Sequence, residues 1–114
     1  MAENLIYKDS DNFIVFTEMR DLSKSANSFL DGTATVNLTL QTTNGTNVSG
    51  QTFPAAMTYN ATKGRGTFEG TLEDALVLTL WTHYDLIVAI SGSGIPARQH
   101  KIRLFCGNGL FQET

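Results

Sequence analysis

The sequence predicts an all-β protein, a sandwich of about seven to eight antiparallel strands in a single domain over residues 1–114. Three observations carry that expectation. Apolar residues recur at every second position in several short segments, Gly- and Asn-rich turns separate those segments, and a tyrosine stands at the entry to a late strand. That tyrosine is Tyr84, which opens an alternation through Leu86, Val88 and Ile90. A Tyr at such an entry point often anchors a sandwich corner, its ring packed inside and its hydroxyl bonded to nearby backbone. Just before it, Phe68 and Leu72 alternate with polar Thr67, Glu69 and Thr71. This order of late strands gives the predicted sandwich an immunoglobulin-like character.

The elements follow in chain order. Residues 13–20 alternate, with Phe13, Val15, Thr17 and Met19 on one face and Ile14, Phe16, Glu18 and Arg20 on the other. Both faces begin apolar, which predicts a strand covered on two sides at its start. Residues 21–31 are polar and read as a loop. In residues 33–40, Ala34, Val36, Leu38 and Leu40 point one way and Thr33, Thr35, Asn37 and Thr39 the other, the cleanest amphipathic strand in the chain. Asn44-Gly45 signals a hairpin, with a short strand expected around Val48 and interrupted by Gly50. Phe53-Pro54 marks an edge or bend, because Pro cannot donate to a ladder. Met57 and Tyr59 restart the alternation, and residues 60–66 form a turn into the strand at 67–72. Residues 75–80 are assigned a strand or an extended connection, since Val77, Thr79 and Trp81 favour extended backbone. Residues 91–94 turn, Ile95-Pro96 stays extended, and residues 99–106 form the last strand, with His100, Ile102, Leu104 and Cys106 on one side. Val36, Leu38, Phe68, Leu72, Leu86, Val88 and Ile102 are the expected core, and Thr35, Asn37, Glu69 and Thr71 the expected surface.

Composition bounds the function. A hydrophobic fraction of 41% with net charge −3 suits a globular chain rather than a disordered one. The same charge argues against a nucleic-acid binder, which needs a basic surface to neutralise phosphates. No apolar run approaches the roughly 20 residues that span a membrane, so no membrane insertion is expected. Met1 to Lys8 lacks the basic start and apolar segment of a signal peptide. Cys106 is the only cysteine, so no intrachain disulfide forms. Synthesis in a reducing cytoplasm is the expected origin. The N-x-S/T sequons at Asn37, Asn44, Asn47 and Asn60 then reflect a chain rich in strand-forming Thr and turn-forming Asn.

Motifs with chemistry are sparse. His83, His100 and Cys106 share no metal-ligand spacing, and Cys106 alternates with Leu104 and Ile102 as a small buried hydrophobe does. Asp9-x-Asp11 lacks the glycine and distal glutamate of a calcium loop. Gly64-x-Gly66 followed by Gly70 superficially resembles a nucleotide loop, but a strand follows where a helix is required. No catalytic, cofactor-binding or metal residues are therefore assigned, and the chain is expected to be noncatalytic. Arg98, Lys101 and Arg103 form a basic cluster, either a solvated strand face or a contact surface for a protein partner. A lone Trp in a sandwich is usually core or corner packing, the reading favoured for Trp81; with Tyr84 and Tyr59 it is also the candidate platform for an alternative role as a ligand-binding module, carbohydrate among the ligands.

The order of local patterns resembles small phage and prophage proteins with immunoglobulin-like folds. It is carried by Asp31-Gly-Thr-Ala-Thr-Val-Asn-Leu-Thr-Leu40, Asn44-Gly-Thr-Asn-Val-Ser-Gly-Gln51, Met57-Thr-Tyr59, Gly66-Thr-Phe-Glu-Gly-Thr-Leu72 and Tyr84-Asp-Leu-Ile-Val-Ala-Ile90. Related patterns occur in N-terminal domains of phage baseplate proteins and in bacterial adhesive modules. This family often has Tyr where Phe68 stands and Gly just before the position of Tyr84, where this chain has Trp81-Thr-His83. The resemblance implies a structural or interaction protein of a virion, associated with head, tail or baseplate. Its partners are expected to be virion proteins or further copies of itself, met through sheet edges and loops.

Overall fold

The computed structural model describes residues 4–20, 29–92 and 95–108. Among these the chain forms strands β1 (Leu5–Tyr7), β2 (Asn12–Phe16), β3 (Ala34–Thr42), β4 (Ala55–Ala56), β5 (Thr58–Tyr59), β6 (Phe68–Leu72), β7 (His83–Gly92) and β8 (Ile95–Gly107). One 3-10 turn, Ala61–Lys63, lies between β5 and β6. The strands make a five-stranded sheet in the order β1-β8-β7-β3-β4 and a three-stranded sheet in the order β2-β6-β5. The protein is all-β, with two sheets packed on one core.

Strands β3, β7 and β8 are the frame of the larger sheet. β3 pairs antiparallel with β7 from Ala34 opposite Gly92 to Thr42 opposite Tyr84. β7 pairs antiparallel with β8 from His83 opposite Phe105, with a register shift between Ile90 and Gly92. These registers turn Val36, Leu38, Leu40, Leu86, Val88 and Ile90 to one side, where all are buried. Phe68 and Leu72 of β6 meet them from the smaller sheet. At Gly70 an added methyl group would lie 3.1 Å from Leu38 Cδ1, so the absent side chain lets the sheets approach there. Ile102 is only half-buried but packs on the same cluster. Thr35 is exposed, while Asn37, Glu69 and Thr71 are half-buried.

The corner forms as the sequence suggests. The Tyr84 ring is 4% exposed, and its hydroxyl oxygen accepts the Thr79 N–H at 2.8 Å. Residues 75–80 are the extended connection: Leu76 and Leu78 are buried while Val77 and Thr79 are exposed, and the Val77 N–H donates to Ser49 O at 3.0 Å. At Asn44-Gly45 the hairpin closes with the Gly45 N–H on Thr42 O, and only Gly45 of the pair takes positive φ, at 93°. Val48 lies outside the named strands; its N–H bonds Leu40 O, beside an isolated bridge between Gln41 and Asn47.

Two expectations need correction. The strand expected over 13–20 ends at Phe16, and it is covered on one side only. Ile14 and Phe16 pack on the core, whereas Phe13 is 76% and Val15 48% exposed, because no second layer lies outside the smaller sheet among the described residues. Glu18 then takes φ 54°, and the chain turns to bond Arg65 and Gly66 through the Glu18 and Met19 N–H groups. The other correction is that one strand pair is parallel. β1 runs alongside β8 with Leu5 opposite Phe105 and Tyr7 opposite Gly107, and its Ile6 is fully buried. Three residues show a single alternation, too little to register as a strand in the sequence. The expected loop at 21–31 and turn at 91–94 fall partly outside the described residues.

Candidate functional site

A strand at the edge of a sheet carries backbone N–H and C=O groups that another chain can bond. On the β4 side of the larger sheet, returning chain covers β3. Val48 N–H donates to Leu40 O, β4 pairs with Asn37 and Leu38, and Met57 N–H donates to Val36 O. On the other side, β1 is capped at Tyr7 by a side chain. Asn12, buried beneath it, accepts the Tyr7 N–H on Oδ1 at 2.8 Å and donates from Nδ2 to Tyr7 O at 2.9 Å. Its amide supplies one donor and one acceptor, as a peptide group of a neighbouring strand would. The smaller sheet ends on β2, of five residues, and β5, of two.

The 13-residue strand β8 is the longest, and β1 covers only Phe105 to Gly107 of it. The Phe105 N–H turns outward to Asn4 O at 2.9 Å, and the Cys106 N–H turns inward to Thr82 O at 3.0 Å. Backbone groups alternate along a strand, so those of Arg103, Lys101 and Gln99 turn to the Phe105 side, away from β7. Among the described residues no strand pairs with them. This is the most extended open edge of the described fold.

The same alternation divides the basic cluster. Lys101 and Arg103 lie on the outer face of the sheet, opposite Ile87 and Asp85, whereas Arg98 lies opposite Ile90 on the inner face. Arg103 Nε donates to Asp85 Oδ1 at 2.6 Å, and Asp85 is only 3% exposed. Its charge is thus engaged within the chain. Lys101 is exposed, as is His100 on the other face. Asp85 went unnoticed in the sequence because its partner is 18 residues away and is set by strand register.

The three proposed ring residues do not share a surface. Tyr84 is buried, and Tyr59 sits in the smaller sheet with its ring centroid 5.3 Å from that of Phe68. Trp81 is 44% exposed and takes φ 62°, unusual for a bulky residue. Its N–H donates to Cys106 O at 2.8 Å, and its ring lies 6.3 Å from Phe105, which in turn lies 4.9 Å from His83. Tyr7 and Trp81 both overhang Gly107. An aromatic shelf of Tyr7, Trp81, Phe105 and His83 therefore stands beside the covered end of β8. Tyr7 and Phe105 come from segments far apart in sequence, and only the parallel pairing of β1 and β8 unites them.

On the outer face of the smaller sheet, Phe13, Val15, Thr58, Glu69 and Thr71 line an open groove of about 580 Å³. The Asn60 amide, and after it the Lys63 ammonium, hold the Glu69 carboxyl below its ordinary range. Asp11 accepts the Asp74 N–H at 2.9 Å. Cys106 is fully buried, and burial pushes its thiol pKa up. Among the described residues no three His, Cys, Asp or Glu side chains group to hold a metal ion. No helix there is long and apolar enough to cross a membrane. Comparison with protein-family models, curated proteins and solved structures gives no match for this chain.

Proposed function

We propose that the chain is a noncatalytic structural or interaction protein of a phage or prophage particle, an immunoglobulin-like sandwich that docks to other proteins through the open edge of β8. One observation carries the docking mode: returning chain covers the outer edge of β3 and the Asn12 amide caps Tyr7 of β1, while among the described residues no strand pairs with the outward backbone groups of Gln99, Lys101 and Arg103. The virion setting rests on the order of sequence patterns, and the buried Tyr84 corner supports the immunoglobulin-like reading. The protein is made in the bacterial cytoplasm and binds protein rather than nucleic acid, in keeping with its pI near 5.2. The test is co-purification with particles from an induced lysate of the strain that encodes the chain. Wild type is expected to travel with the particles, and Lys101→Pro, which removes an outward N–H, to fall by about tenfold or more. Equal recovery of both would overturn the edge, and no recovery of wild type the virion setting.

A ligand-binding role draws on the half-exposed Trp81 beside Tyr7 and Phe105. Trp81 is the only tryptophan, so its fluorescence reports this shelf alone. Titration with soluble glycans should shift that emission if the shelf binds sugar; an unchanged spectrum sinks this second reading.

A further inference from the structure

The geometry of the β8 edge also specifies its occupant, an inference that rests on the edge reading above. The open stretch has two limits. At one end Phe105 is already bonded to Asn4; at the other, the register shifts between the Ile90–Arg98 and Gly92–Ile95 pairs. Between them lie residues 97–103, Ala-Arg-Gln-His-Lys-Ile-Arg, with His100 at the midpoint. A second copy of this stretch, running antiparallel, meets every outward N–H and C=O about a two-fold axis. We propose that two copies of the protein pair antiparallel along β8 with the axis at His100, joining their five-stranded sheets into one.

Charge and the length of the open stretch select this register over its neighbours. With His100 opposite His100, Lys101 faces Gln99 of the second copy, Arg103 faces Ala97, and Arg98 faces Ile102. No two permanent cations stand directly opposite. Moving the axis to Lys101 sets Lys101 against Lys101, a destabilising like-charge pair. Moving it to Gln99 carries Arg103 past the register shift to Ile95, outside the open stretch. Arg103 is further neutralised by its own Asp85. The axis position is sterically open, because His100 is exposed. The backbone of His100 turns toward β7, so the two His100 residues form a non-hydrogen-bonded pair, the closer of the two antiparallel types.

Sedimentation of wild type and Lys101→Pro, with oxidative cross-linking of His100→Cys, Gln99→Cys and Lys101→Cys, tests this. Cys106 is fully buried, so each introduced thiol is the accessible one. Wild type is expected to reach twice its 12.5 kDa mass as concentration rises, and Lys101→Pro, with native circular dichroism, to remain monomeric. His100→Cys should cross-link about tenfold faster or more than the other two, since only residue 100 meets its own copy within disulfide reach. A wild-type monomer up to millimolar concentration overturns the second copy as occupant, while the particle experiment separately decides the edge. A dimer indifferent to Lys101→Pro overturns both readings. A dimer lost in Lys101→Pro but cross-linked best through residue 99 or 101 keeps the edge and overturns the axis. If Lys101→Pro does not fold, the cross-linking pattern alone decides.

Discussion

Arg103 and Lys101 are neighbours on one face of one strand, yet their substitution should have opposite consequences. Arg103→Ala leaves the nearly buried Asp85 carboxylate without its cation and should cost about 2–3 kcal/mol. Lys101→Ala removes an exposed charge and should change stability by less than about 0.5 kcal/mol. Urea melts of the two variants measure the contrast, and equal costs would deny the ion pair a structural role. Glycines divide in the same way. At Gly50 an added methyl would sit 2.1 Å from the Ala75 carbonyl oxygen, with φ at 107°, so Gly50→Ala should cost about 3 kcal/mol or more. Gly45 has positive φ but open space around it, so Gly45→Ala should cost only about 1–2 kcal/mol. A melting series in which Gly45→Ala is the worse variant would contradict this geometry. None of these differences is visible in composition, because each depends on what stands across a strand or loop.

Among the elements, the connection at 75–80 is tied to the Tyr84 corner by one oxygen. Tyr84→Phe keeps the ring in the core but leaves the Thr79 N–H without its acceptor, so it should cost about 1–2 kcal/mol with an unchanged denaturant slope. A neutral result would mean that water replaces the hydroxyl. Legibility varied between elements for physical reasons. β3 and β7 were readable because long strands with one buried face repeat their alternation several times. β1 was not, because its burial comes from a parallel partner about a hundred residues away in sequence, beyond any local window. At β2 the alternation was visible, but its apolar outer face, Phe13 and Val15, suggested a cover that none of the described residues supplies. The candidate edge was half-legible: residues 99–106 read as the last strand, while its openness depends on where β1 stops and on Asn12 capping β1 at Tyr7.

At the scale of the molecule, the one thiol should be kinetically silent. Cys106 has no exposed surface, so a thiol reagent should label it only as fast as the protein opens, and labelling should accelerate with denaturant. Immediate labelling of native protein would mean that the β1–β8 layer is not closed. Burial raises the thiol above its usual 9.0. Its contribution to stability is therefore complete below that value and lost as pH rises through the folded value. Thermal melts above pH 9 should thus show a steeper alkaline loss in wild type than in Cys106→Ala. The parallel β1–β8 pair also has a mechanical meaning. Pull the chain by Asn4 and by Asn108, and the two strands are drawn past each other along their length. Their bonds then take the load together, as in a shear lap joint, whereas the antiparallel β7–β8 hairpin would peel one bond at a time. The three-residue strand that was hardest to see in the sequence would be the first thing a stretching force has to break.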